Sequence, residues 1–321
     1  MISTLRLQNY RNHRDTTIEF GELTALVGPN SAGKSNVLEA VQCFTRIPEE
    51  RALKMVFRGD LAPEVVIRRG QSSFKLRLEG EKPTTWHIDV RCTTEDRSSL
   101  RQAGDDKQNA QFSGEWEWGS KGKDLSSTAF REDPKVADYL SRTAHLKVVT
   151  ENLSAPSAPQ SVPPKIHQNG KGLASVVSYL MTTDPDRFDR LVQRLQNVVP
   201  EVEGLRTRPI PAGKQSSGED GRLDELLYDM KGGKGIPAHS VSEGTLIATG
   251  LLAAVIGNKE REPHLLLIDD LEQGLHPKAQ RELVEVLRAI QEQQSPLQIV
   301  FTTHSPFIVD ELAPEETWLL N

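Results

Sequence analysis

The chain has 321 residues, 36% hydrophobic and 26% charged, with a formal net charge of -6. That length buries a core of ordinary size, no apolar run approaches the ~20 residues that cross a bilayer, and the acidic balance argues against a polycation built to coat nucleic acid. With Cys43 and Cys92 in no metal or disulfide spacing, and an opening Met1-Ile2-Ser3 without secretory features, a reduced, cytoplasmic protein is expected, with no membrane partner.

Residues 2–8 and 16–27 carry apolar and β-branched runs of strand character, broken at Gly21-Glu22. They lead into Gly28-Pro29-Asn30-Ser31-Ala32-Gly33-Lys34-Ser35, which fits G-x-x-x-x-G-K-[ST]. Val37, Leu38, Val41 and Phe44 then recur at helical spacing over residues 34–44. A strand, a glycine loop and a helix in that order make a phosphate cradle: backbone N–H groups and a helix start face the anion. Lys34 would neutralise the β- and γ-phosphates, and Ser35 would give its hydroxyl to Mg²⁺. The expected nucleotide contacts are Asn30, Ser31, Ala32, Gly33, Lys34, Ser35 and Asn36. A chance glycine turn is the competing explanation, which the flanking strand and helix disfavour.

Runs at residues 64–69, 74–79 and 85–92 alternate between Gly or Pro breaks and predict an antiparallel sheet beside the nucleotide core. Residues 93–128 turn polar and read as an irregular insertion anchored by Trp116 and Trp118. Residues 154–164 hold four prolines and predict an extended loop. Helices are expected at 173–181 and 186–198, a polar stretch at 212–221, and a strand at 223–230. A capped helix from Ser242, a strand at 264–268, a helix at 277–291 and a strand at 298–302 close the chain. The expected class is α/β: a parallel core from both ends of the sequence, an adjoining antiparallel β-subdomain and an inserted helical lobe. The corresponding lobes are residues 1–92, 93–235 and 236–321 of one head. A local basic patch of Arg51, Lys54, Arg58, Arg68 and Arg69 is the candidate for DNA, with a merely solvated face as the favoured alternative.

The apolar run before Asp269-Asp270 places two acids at a strand end, where a nucleotide enzyme brings carboxylate to Mg²⁺. Asp269 would hold the metal and Asp270 would orient or deprotonate the attacking water. Acids after a strand also cap helices or start turns. Glu272 could share the role of Asp270, and His276 could reach a neighbouring subunit's nucleotide, with local packing or capping as the favoured reading. Ser242 is an ordinary N-cap candidate, and Ser242-Glu243-Gly244 also exposes N–H groups to a phosphate offered from outside. His304, after the last strand, is expected to sense the γ-phosphate or the lytic water.

In that order, these four elements resemble the ABC-type ATPases of the SMC, RecF and OLD group. The stretches 5–12 and 26–40 look like its opening, Ser242-Glu243-Gly244-Thr245-Leu246 like its signature motif, 268–277 like its Walker B segment, and Thr303-His304-Ser305-Pro306 like its switch-histidine loop. Residues 169–174 are similar to a segment of its small stand-alone AAA members from phage-defence and genome-maintenance modules. The resemblance implies an ATP- and Mg²⁺-dependent homodimer or higher oligomer. In it, Lys34, Ser35, Asp269 and His304 of one copy would face Ser242 and Gly244 of another, with Arg11 at the nucleotide. It also implies a DNA-associated role in anti-phage defence or repair, with DNA and a separately encoded effector nuclease or toxin as further partners. The alternative is an ATP-dependent scaffold that restrains a protein partner without touching DNA. Asp270 stands where most relatives have Glu, so slow turnover is expected, and the middle lacks the heptads of a long coiled coil.

Overall fold

The computed structural model describes residues 1–50, 53–81, 85–94, 112–120, 123–125, 134–147, 149–158, 161–214, 220–257, 262–272, 275–293 and 297–321. These fall into two units, Met1–Thr143 with Trp318–Asn321, and Ala144–Thr317.

In the first unit, β1 (Ile2–Tyr10) alternates buried Leu5 and Leu7 with outward Arg6 and Gln8, the period of a half-buried strand. It pairs antiparallel with β2 (His13–Glu19) and β4 (Ser73–Gly80). β5 (Trp86–Thr94), β6 (Phe112–Ser120) and β7 (Lys123–Leu125) continue the sheet in the order β2-β1-β4-β5-β6-β7. This is the expected antiparallel subdomain, with two corrections. Residues 63–66 form a helical turn, because Pro63 is preset for a first helical position; only Ile67 bridges Tyr10. The expected irregular insertion contains β6 and β7, with Trp116 and Trp118 in register with Val90 and Ile88. Most of its remainder, together with Arg51 of the basic candidates, lies outside the described residues.

β3 (Leu23–Val27) is nearly all buried, and Leu320 at the end of β14 (Thr317–Leu319) donates its N–H to Val27 O at 2.8 Å. α1 (Lys34–Glu50) buries Val37, Leu38, Val41, Phe44 and Ile47 and packs on α2 (Pro134–Ser141). It runs past the expected end at Phe44 because Ile47 continues the apolar face, and Pro48, in the last turn, forfeits little beyond its own hydrogen bond.

The second unit is built around α5 (Glu243–Ile256), buried almost all round from Thr245 to Ile256. Against it pack α3 (Leu173–Thr183), α4 (Pro185–Val198) and α6 (Pro277–Gln293). The parallel pair β12 (Leu265–Asp269) and β13 (Gln298–Thr303) continues to β8 (Thr143–Lys147) in the order β13-β12-β8. β9 (Val202–Lys214), β10 (Asp220–Met230) and β11 (Gly233–Pro237) form a separate antiparallel sheet. The sequence reading misses β9 and breaks the chain at 212. Pro209 and Pro211 disguise this strand, which tolerates them because it lies at an edge. Among the described residues no helix is long and apolar enough to cross a membrane.

Arg187 ties α4 to the end of α5. It is 5% exposed, donates to Ile256 O, and meets Glu262 Oε1 at 2.7 Å. Arg187→Met removes the donor to that carbonyl and to the part-exposed carboxylate. The expected loss is about 2 kcal/mol of stability, read as a lower urea midpoint; an unchanged midpoint would remove Arg187 from the account of how these helices are joined.

Candidate nucleotide site

In the first unit the glycine loop links β3 to α1. Gly28 is closely enclosed: a Cβ there would stand 2.2 Å from the Leu320 carbonyl oxygen. Gly33 has φ of +95°, and its Cβ would fall 2.5 Å from His13 Nε2, so only glycine fits both backbone and space. The β1–β2 turn braces the loop. Asn12 Nδ2 donates to Ser31 O at 3.2 Å, while its Oδ1 accepts from Asn36 Nδ2 at 2.8 Å. His13 Nε2–H donates to Gly33 O at 3.2 Å, and burial holds this imidazole below its ordinary pKa, so the neutral form is favoured.

Lys34 is buried, with Nζ 2.8 Å from Gly28 O and 3.0 Å from Pro29 O. The loop's own carbonyls thus solvate the ammonium where phosphate oxygens are expected. Asn30, Ser31 and Ser35 are exposed, whereas Ala32 and Gly33 are buried. Arg11 forks onto Glu39, Nε to Oε2 at 2.6 Å and Nη2 to Oε1 at 2.8 Å, and Nη2 also meets Asp60 O at 3.0 Å. That guanidinium is committed to the protein.

In the second unit Asp269 ends β12, and Asp270 follows with φ of +49°, a left-handed backbone that Asp tolerates better than most residues. One buried hydroxyl joins the two acids. Thr302 Oγ1 accepts from the Asp270 N–H at 2.7 Å and donates to Asp269 Oδ1 at 2.7 Å. From β8, Lys147 Nζ reaches Asp270 Oδ2 at 3.1 Å and lies 4.0 Å from Asp269 Oδ2. Burial pushes the neighbouring His145 imidazole down in pKa, against the pull of Asp269.

β13 runs parallel to β12, with Ile268 opposite Phe301, so Thr303-His304 emerges beside the acids. Glu272 is buried with Oε1 2.7 Å from His304 Nδ1. Ser242 caps α5, its Oγ accepting from Thr245 N–H at 3.2 Å; it is exposed, and a Cβ on Gly244 would touch nothing within 4 Å. Glu243 Oε2 accepts from the His276 N–H at 3.4 Å. Gln273 and Gly274 lie outside the described residues.

The structure therefore groups Asp269 with Asp270 and Glu272 with His304, and holds Ser242, Glu243 and Gly244 together at one helix start. The sequence reading gives no role to Lys147, Thr302, His145 or His13. A strand-terminal Thr just before Thr303-His304 was the one available hint, for Thr302.

Two family models match. "AAA ATPase domain" covers residues 1–113, and "AAA domain, putative AbiEii toxin, Type IV TA system" covers residues 163–310. The chain is similar to the DNA double-strand break repair Rad50 ATPase of Methanopyrus kandleri, 52% identical over 114 residues, 30% of this chain and 13% of that protein. It is similar to the DNA replication and repair protein RecF of Trichodesmium erythraeum, 41% identical over 51 residues, 16% of this chain and 13% of that one. It is also similar to the OLD nuclease of Thermus scotoductus, 29% identical over 107 residues, 28% of this chain and 20% of that one. The chain thus spans a small part of each curated relative. Among solved structures, an SMC head bound to the C-winged helix domain of ScpA superposes with a TM-score of 0.55 at 12% identity, covering 97% of this chain and 91% of that one. The SMC head domain from Thermotoga maritima gives 0.51 at 14% identity, with the same coverage. These likenesses establish the SMC-head fold. The chain thus carries matches to two AAA ATPase-type domain models on a fold like that of SMC heads, and is similar over short stretches to Rad50, RecF and OLD proteins.

Proposed function

We propose that the chain binds Mg-ATP, dimerises around it and hydrolyses it slowly, and that this cycle gates a DNA-associated process in repair or anti-phage defence. The observation that carries this is the strand-end arrangement of the second unit: Asp269 and Asp270 locked through Thr302, with His304 leaving the adjacent parallel strand. Asp269 and the Ser35 hydroxyl are hard oxygen donors suited to Mg²⁺, which binds through one or two protein oxygens plus phosphate and water. Bound Mg²⁺ would neutralise phosphate charge. Lys34 would grip the β- and γ-phosphates, Asp270 would orient the attacking water, and Ser242 and Gly244 of a second copy would close over the γ-phosphate. Arg11 would join only by leaving Glu39.

The names of the repair and replication relatives support a DNA-linked process, and the name of the AbiEii-toxin model supports a link to a toxin system; a separately encoded effector nuclease or toxin is part of the proposal. A cavity of about 300 Å³ on the antiparallel sheet is lined by Arg6, Lys75, Arg77 and Arg91 with Gln8 and Asp89; Arg6 is paired with Asp15 and Arg77 with Glu79 and Asp89, so Lys75 and Arg91 are the cations it offers a phosphate backbone. Duplex DNA binding with Mg-ATP should fall steeply as salt rises, because phosphate contacts release counterions. Fluorescence anisotropy across a salt series, with ATP or ADP, tests this. Absence of binding with either nucleotide removes DNA from the proposal and leaves the alternative, an ATP-dependent scaffold that restrains a protein partner.

A further inference from the structure

Glu272 lies three residues beyond Asp269, but its environment sets it apart from the other acids. It is 5% exposed, and its Oε1 receives two donors from one residue, the His304 backbone N–H and ring Nδ1, each at 2.7 Å. Oε2 is buried with no hydrogen-bond partner among the described residues. His304, in contrast, is half exposed. A carboxylate held away from water is costly unless compensated, and a buried polar atom without a partner asks for an explanation. Here the compensation comes through His304, behind an imidazole whose other edge remains open.

We propose that Glu272 is a positioning residue for His304: its carboxylate fixes the ring plane and the Nδ1–H tautomer of this half-exposed side chain, so that Nε2 serves as an acceptor for the lytic water. An ionised carboxylate only accepts hydrogen bonds, so the shared proton sits on Nδ1. The neutral ring then offers a lone pair at Nε2. Such a nitrogen cannot donate to a phosphate oxygen, but it can accept from a water O–H. This separates two roles that the sequence leaves open for His304. The charge of Glu272, held 2.7 Å from Nδ1, stabilises positive charge developing on the ring as it draws on the water. The second N–H, from the His304 main chain, holds the residue against rotation. Glu272 therefore acts through His304 and does not itself touch the reacting atoms.

The proposal rests on the ATPase function above, and its test separates the two. Nitrogen-15 NMR of histidine-labelled full-length chain should show His304 protonated at Nδ1 and bare at Nε2, a pattern lost in Glu272→Leu, which leaves no acceptor for Nδ1–H. In turnover assays Glu272→Gln should lower kcat roughly 100-fold, with ATP affinity within about twofold of the parent. In a His304→Ala background the same change should cost nothing further, since its effect passes through the ring. An unaltered tautomer in Glu272→Leu overturns the proposal, as does a Glu272→Gln, His304→Ala double variant whose loss is the product of the single losses. If the parent chain fails to turn over ATP, the ATPase proposal falls, and the tautomer alone decides whether Glu272 governs His304.

Discussion

Lys34→Ala is expected to weaken ATP binding at least about 100-fold, or ~2.7 kcal/mol, and with it to abolish ATP-dependent dimerisation. The ammonium is buried against the carbonyls of Gly28 and Pro29, which hold it at the mouth of the cradle before any phosphate arrives. An incoming triphosphate exchanges those neutral acceptors for charged ones, a stronger class of hydrogen bond. Alanine removes the charge and leaves the loop to be shaped by Gly28, Gly33 and the Asn12–His13 brace, so the fold should survive. Titration calorimetry gives the affinity, and light scattering with Mg-ATP the mass. A variant that still dimerised with ATP at the parent concentration would show that this loop is not where the nucleotide is held.

Asp270→Asn should leave ATP affinity close to that of the parent, lower turnover by about 100- to 1,000-fold and prolong the dimer. Asparagine suits this test because it also accepts the left-handed backbone at φ of +49° and keeps the N–H that bonds Thr302. What disappears is the negative charge facing Lys147 at 3.1 Å. Single-turnover assays with radiolabelled ATP, alongside size-exclusion in Mg-ATP, read chemistry and assembly separately. Lost nucleotide affinity would mean that Asp270 belongs to binding, and an unchanged rate would hand the water to another group.

The parts of the site that announce themselves in sequence are those whose chemistry needs neighbouring residues. Gly28 to Ser35 must be contiguous to wrap a phosphate, Ser242 must precede its helix, and the acids must follow an apolar strand. Each carries its context along the chain, and the structure places each on the expected element. Lys147 has no such context. It is a single cation at the end of a short strand, and its meaning comes from Asp270, 123 positions away. His13 acquires a role only when the β1–β2 turn is laid against Gly33. The misread segments have physical causes too. Two prolines conceal an edge strand at 202–214, and Pro63 converts an alternating run into a helical turn. Arg11, placed at the nucleotide by resemblance, is bound by a carboxylate 28 positions away that no local pattern could reveal.

Thr302 has one proton to give and gives it to Asp269, while its oxygen is claimed by the main chain of Asp270. The carboxylate at the strand tip and the peptide that follows therefore behave as one rigid bracket bolted to β13, the strand that leads into His304. A tug on the histidine loop would be felt at both acids at once, and a ligand settling on either acid would be reported back along the same strand. Serine could replace this bolt. Valine, with the same outline and no hydroxyl, would leave the bracket loose.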